Sequence, residues 1–214
     1  MGIEEQINKI KKNLNQDTVF IVAVKYANIS QIKEILRCGV VNLGFNTFQQ
    51  LNEVKNELPD NIKLHFIGHL QSNKIRKILE SDVFLIQSVD SLKVAEKINN
   101  VCTDLGIKQR VLIQLKTDKE KEYGFNPEEL NNEFLSKLKS LSNIVILGLM
   151  TIPQGVEHLD ELKESYVLMN KEFERLKIFF GEEFEYISMG MSQDYELAIK
   201  YGANMVRIGR VIFK

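Results

Sequence analysis

The sequence predicts an α/β protein built as a (β/α)8 barrel, and three observations predict it. Short apolar runs alternate with amphipathic segments about eight times along 214 residues, roughly 27 residues per unit, near the minimum for a compact strand–helix repeat. Strands alternating with helices imply a parallel sheet with helices outside it. An open sheet of that kind carries a glycine-rich phosphate loop after its first strand, and "VKYANIS" (24–30) contains no glycine. Closure is therefore favoured over an open doubly wound sheet.

The elements follow in order. An extra N-terminal helix is expected over about 2–14, "GIEEQINKIKKNL", with acids early and bases late, as the helix dipole favours. The strand candidates are "TVFIVAVKY" (18–26), "VVNLGFN" (40–46), "KLHFIGHL" (63–70), "VFLIQSVD" (83–90), "RVLIQLKT" (110–117), "IVILGLMTIP" (144–153), "EYISMGM" (185–191) and "NMVRIGR" (204–210). Between them lie helical patterns such as "ISQIKEILRCG", "SLKVAEKINNVCTDLG" and "SQDYELAIKYG". Several begin at Ser, a common cap, and end in Gly, a common stop. With three prolines and no low-complexity stretch, nothing reads as a linker, so residues 1–214 are expected to form one domain.

Composition excludes several classes. The chain is 44% hydrophobic and 27% charged, with a net charge of −1. No strong field favours nucleic acid or an anionic membrane. Cys38 and Cys102 form no CxxC pair, which argues against a disulfide framework or a zinc site; each is expected to be a small buried residue. No signal peptide opens the chain and no apolar stretch approaches a membrane span, so a cytoplasmic location is expected.

Side chains alternate along a strand, and that parity picks out a site. Ile21, Ala23 and Lys25 oppose the uniformly apolar Phe20, Val22 and Val24. Asn46, His69 and Arg207 fall on the same presumed inner parity of three further strands, mostly near the carboxyl ends where barrel enzymes build their sites. Bland alternatives stand beside each. Lys25 can be a solvated strand end, His69 a structural histidine and Asn46 a helix cap, while Met150, Met189, Met191 and Met205 read as core filler. Arg207 is harder to dismiss, because a buried guanidinium needs acceptors. "SMGMSQD" (188–194) ends a strand at Gly190 and Ser192 just before a helix, and "RIGR" (207–210) adds Gly209. Loops after strands 7 and 8 are the usual phosphate cradle of a barrel; Ser192 as a plain helix cap is the alternative. An amine at the first strand and a phosphate cradle at the last two suggest one ligand carrying both aldehyde and phosphate, pyridoxal 5′-phosphate (PLP).

"VAVKYA", "LHFIGHLQSNK", "SVDS", "GLMTIP" and "SMGMSQDYELAIKYGANMVRIG" together resemble the pyridoxal phosphate homeostasis proteins, from about residue 5 to 213. The resemblance implies a barrel of the alanine racemase N-terminal domain type, with PLP held as an aldimine on Lys25. It implies Asn46 against the cofactor, with His69 among the cofactor-binding set. It also implies Ser188, Gly190, Ser192, Gly209 and Arg210 about the phosphate, and Arg207 facing the pyridine nitrogen. Arg cannot readily donate a proton outright, so the ring would be a weaker electron sink. The chain departs from the family at Val24, Phe45, Gln50, Glu122 and Arg210.

The function so implied is intracellular buffering or delivery of PLP, without robust turnover, to PLP-dependent apoenzymes; monomer and weak dimer stay open. No metal is expected. The alternative is a PLP-dependent amino-acid racemase. Racemases of this fold use a second base from another domain, and the chain ends directly after the last strand run. A cofactor-free aldolase, with Lys116 as a rival amine, is the third reading.

Overall fold

The computed structural model describes residues 2–25, 27–118, 122–153 and 156–213. Eight strands form a closed parallel barrel: β1 (Val19–Ala23), β2 (Asn42–Phe45), β3 (Lys63–Phe66), β4 (Leu85–Val89), β5 (Gln109–Gln114), β6 (Ile144–Met150), β7 (Tyr186–Ser188) and β8 (Met205–Ile208). Each pairs with its successor, and β8 closes on β1 with Ile21 opposite Arg207. All eight apolar runs contain the expected strand, so the (β/α)8 reading holds. The extra helix is α1 (Ile3–Lys12), which packs beside α2 (Ile29–Arg37).

The alternation builds two cores from the same strands. Phe20, Val22, Val24, Leu43, Phe45 and Val206 point outward into the large core beneath the helices. Ile21, Leu85, Leu112, Leu147, Met150 and Met205 fill the barrel. Full burial of such a side chain contributes roughly 2 kcal/mol. At the amino ends, half-buried Phe84 stands beneath this plug, with Lys63 Nζ 4.8 Å and the Arg110 guanidinium 5.1 Å from its ring.

Helix ends follow local chemistry. Asn28 and Gln31 form a reciprocal capping box on α2. Thr47 caps α3 (Phe48–Val54), and Ser91 caps α5 (Leu92–Leu105), which stops at Gly106 in the left-handed conformation, φ 66°. Of the two cysteines, Cys102 is buried as expected. Cys38 is half-buried instead, because α2 ends there and its thiol donates to the Glu34 carbonyl.

His65 lies inside the barrel, 1% exposed. Burial, helped by nearby Lys63, pulls its imidazole down to about 3. Its folded value is below the ordinary one of about 6.5, so the unfolded chain binds the extra proton between those limits. The neutral ring therefore favours the fold above pH ~6.5, and that contribution is lost progressively as pH falls towards 3. We expect chemical denaturation at stepped pH to show a shallower acid loss for His65→Gln than for wild type. Parallel curves would be the contrary result.

Candidate functional site

A cavity of about 130 Å3 opens at the carboxyl ends of the strands, with Lys25, Asn46, Ser192, Asp194, Arg207 and Gly209 among its walls. Lys25 is not within β1, which stops at Ala23; it stands exposed in the turn that follows. Its predecessor is firmly held. Val24 N–H donates to the Gly44 carbonyl at 3.0 Å, and Val24 C=O accepts from Ala27 N–H and from the Gln50 amide. A carboxylate at position 50 would have no proton to give that carbonyl, so the departure at Gln50 creates this tether. Phe45, another departure, is fully buried on the outward face.

Asn46 follows β2 directly. Thr47 caps α3, so Asn46 is not the helix cap, and its Oδ1 is buried with no hydrogen-bond partner among the described residues. Its backbone is crowded by the next strand's loop. A Cβ at Gly68 would lie 1.8 Å from the Asn46 carbonyl oxygen, which leaves only glycine there.

The loops after β7 and β8 meet at Ser192. Gly209 N–H and Val211 N–H both point at Ser192 Oγ, at 3.3 and 3.4 Å. Ser192 is thus neither a helix cap nor part of a helix N-terminus, because α8 (Tyr195–Lys200) begins three residues later. The loop after β8, and not α8, presents these two main-chain donors to the Ser192 hydroxyl. A side chain at Gly209 would bring its Cβ to 2.7 Å from the Ala23 carbonyl oxygen. Gly190 shapes the same loop from behind, with φ 90° and no room for a Cβ against Ala198; its carbonyl accepts from Arg207 N–H.

Among the described residues lining the cleft, Asp194 is the carboxylate, 7% exposed. One oxygen accepts from Met191 N–H at 2.8 Å and the other from the Tyr166 hydroxyl on α7 (Leu159–Phe180). Burial first, then the adjacent Asp194 charge, raises the Tyr166 phenol, keeping it protonated as the donor.

Arg207 forms the floor, 4% exposed. It donates to Ser188 Oγ at 2.6 Å and to the Thr151 carbonyl at 2.8 Å. Burial lowers the guanidinium to about 10, with Tyr166 and Asp194 opposing, so it stays cationic at neutral pH. Ser188 itself is fully buried beneath Arg207 and does not reach the cleft. Arg210 lines the rim.

His69 is not brought to this cavity. β3 ends at Phe66 and the chain turns at Gly68, so the strand parity used to place His69 no longer applies. It lies 3.4 Å from Asp90 and against the Tyr123 ring, at 4.1 Å between centroids. Lys116 is likewise outside the cavity walls. Met191 lines the cavity, whereas Met150, Met189 and Met205 are buried core. Sequence reading missed Asp194 and Tyr166 altogether. No cluster of metal-ligating residues occurs among the described residues, and none of their helices is long and apolar enough to cross a membrane.

The barrel and the placement of its cleft define a class. The family model for the alanine racemase N-terminal domain matches residues 2–214. An alanine racemase of Clostridium difficile shares the fold at TM-score 0.79 and 18% identity; this chain covers 56% of it. The chain belongs to the family of pyridoxal phosphate homeostasis proteins. It is 34% identical to the Helicobacter pylori (strain 26695) protein of that name over 219 residues, 99% of this chain and 96% of that one. The protein of that name from Aquifex aeolicus is 35% identical over 184 residues, 85% of this chain and 80% of that one. Among solved structures, PipY of Synechococcus elongatus with PLP bound superposes at TM-score 0.89 with 30% identity, over 99% of this chain and 100% of that one.

Proposed function

We propose that this protein serves PLP homeostasis by holding the cofactor in the cleft between Lys25 and Gly209, buffering it or delivering it to apoenzymes without robust turnover of its own. The observation that carries the reading is convergence. One cavity is lined by Lys25, just after β1, and by Gly209, just after the neighbouring strand β8, whose N–H with that of Val211 is aimed at the hydroxyl oxygen of Ser192, also in the cavity wall.

PLP supplies an aldehyde that condenses with a primary amine with loss of water, and a pyridine ring that can withdraw electrons. Lys25 would provide the amine. Gly209 and Val211 N–H, with the Ser192 hydroxyl, would hold the phosphate, as oriented backbone donors hold anions generally. Arg207, a donor only, would face the ring nitrogen and keep it unprotonated. The unpartnered Asn46 Oδ1 offers an acceptor that a buried polar group ordinarily requires to be used. Asp194 opposes an anion, but both its oxygens are already occupied by Met191 N–H and Tyr166.

The same geometry argues against fast racemisation, which needs a proton-transfer group on each face of the substrate. Lys25 serves one face. Among the described residues lining the cleft, Asp194 is the carboxylate available, and it is tied to Tyr166 and Met191; His69 is outside. We expect PLP-loaded protein incubated with L-alanine in deuterated water to incorporate deuterium at the α-carbon more slowly than about 1 per second, the low end of typical enzymes. Faster exchange would establish an enzyme instead. The binding reading itself is tested by titrating purified protein with PLP and with pyridoxal while following visible absorbance. PLP should be retained on desalting and pyridoxal lost; equal retention would show that the cradle is misplaced.

A further inference from the structure

Arg207 starts a line of hydrogen bonds that runs down the barrel interior, away from the cleft. Its NH1 donates to Ser188 Oγ at 2.6 Å. Ser188 then has its single proton left to give, and gives it to Gln87 Oε1 at 2.7 Å. The Gln87 amide is thereby oriented, with Nε2 towards His65 Nδ1 at 3.2 Å and Met205 Sδ at 3.3 Å. An amide nitrogen only donates, so His65 Nδ1 carries no proton. The ring proton is on Nε2, 3.0 Å from Asn42 Oδ1. Every link thus points the same way, from β8 through β7, β4 and β3 to β2. The direction is dictated by Arg207, which has no acceptor to offer. Gln87 is 0% exposed and Ser188 is 0% exposed, so water cannot substitute for either partner.

We propose that Gln87 is a positioning residue for the cofactor ring: through Ser188 it holds the Arg207 guanidinium in one orientation at the cleft floor. This rests on the PLP reading above. The alternative orientation of the Gln87 amide would place its NH2 group against the Ser188 hydroxyl. Ser188 would then have to accept from both Arg207 and Gln87 and leave its own proton without that partner. A buried chain with one sense of donation has one low-energy arrangement, and its members are worth more together than apart.

The test is a PLP titration of wild type, Gln87→Met, Arg207→Lys and the double variant, repeated with a PLP analogue bearing carbon in place of the ring nitrogen. Gln87→Met should weaken PLP binding about tenfold, the scale of one hydrogen bond to a charged group. It should add little in the Arg207→Lys background, where the guanidinium is already gone. With the analogue, which has no ring acceptor, Gln87→Met should leave affinity within about twofold, a pattern that general loosening of the core would not give. If wild type retains PLP and Gln87→Met matches it, the positioning role is wrong while the binding reading stands. If wild type fails to retain PLP, both fall. Should Gln87→Met not fold, the imidazole 15N shifts of His65 in wild type decide alone: a proton on Nε2 supports the chain, and a proton on Nδ1 overturns it.

Discussion

Lys25→Ala should abolish covalent capture of PLP. Borohydride reduction of loaded wild-type protein is expected to leave a pyridoxyl group on the peptide containing Lys25, and the variant should carry none. Residual affinity would come from the phosphate loops and Arg207, weaker by roughly 100-fold, or ~2.7 kcal/mol. The expectation rests on placement: the turn bearing Lys25 is pinned through Val24 by Gly44, Ala27 and Gln50, and the lysine opens on the cleft. Because Lys25 is exposed and outside β1, its truncation should leave the melting temperature nearly unchanged. Label recovered chiefly from Lys116 would move the reactive amine to another strand and revive the cofactor-free aldolase alternative.

Gly209→Val should cost both binding and stability. The new Cβ would stand 2.7 Å from the Ala23 carbonyl oxygen and 3.2 Å from the Ala23 Cβ. Neither belongs to a long flexible side chain, so β1 or the loop after β8 must shift. Overpacking of this kind costs about 1–3 kcal/mol, which at this chain length lowers Tm by about 2–4 °C per kcal/mol. The shift would also carry Gly209 and Val211 N–H away from their common point, and PLP retention should fall roughly 100-fold. Ser192→Ala is the control. It removes the hydroxyl but leaves both main-chain donors, so a loss of roughly threefold to tenfold is expected. Equal losses in the two variants would mean that the hydroxyl, not the backbone, provides the cradle.

Much of the barrel was legible because strand parity is a rigid rule while the strand lasts. Phe20, Val22 and Val24 had to face the helices once Ile21 and Ala23 faced inward, and they do. Arg207 was legible for the same reason. His69 shows where the rule stops: three residues beyond the end of β3, after the bend at Gly68, its parity carried no information. The cap alternative for Ser192 falls away because α8 starts only at Tyr195, a boundary that a helical pattern fixes poorly. Asp194 and Tyr166 were illegible, since their pairing joins α7 to a loop 28 residues further along. Gln87 could have been found. It is a lone amide in an apolar run, on the inward parity with Leu85, and the argument applied to Arg207 applies to it.

The filled interior has a consequence for traffic. Leucines, isoleucine and methionines plug the barrel, and Phe84 with its two flanking cations stands at the far end. The molecule is therefore a cup rather than a tube. Whatever enters at the strand carboxyl ends must leave by the same opening, so loading and unloading cannot overlap. A body resting on that rim would arrest both at once, and the residence time of the contents would be set by one doorway.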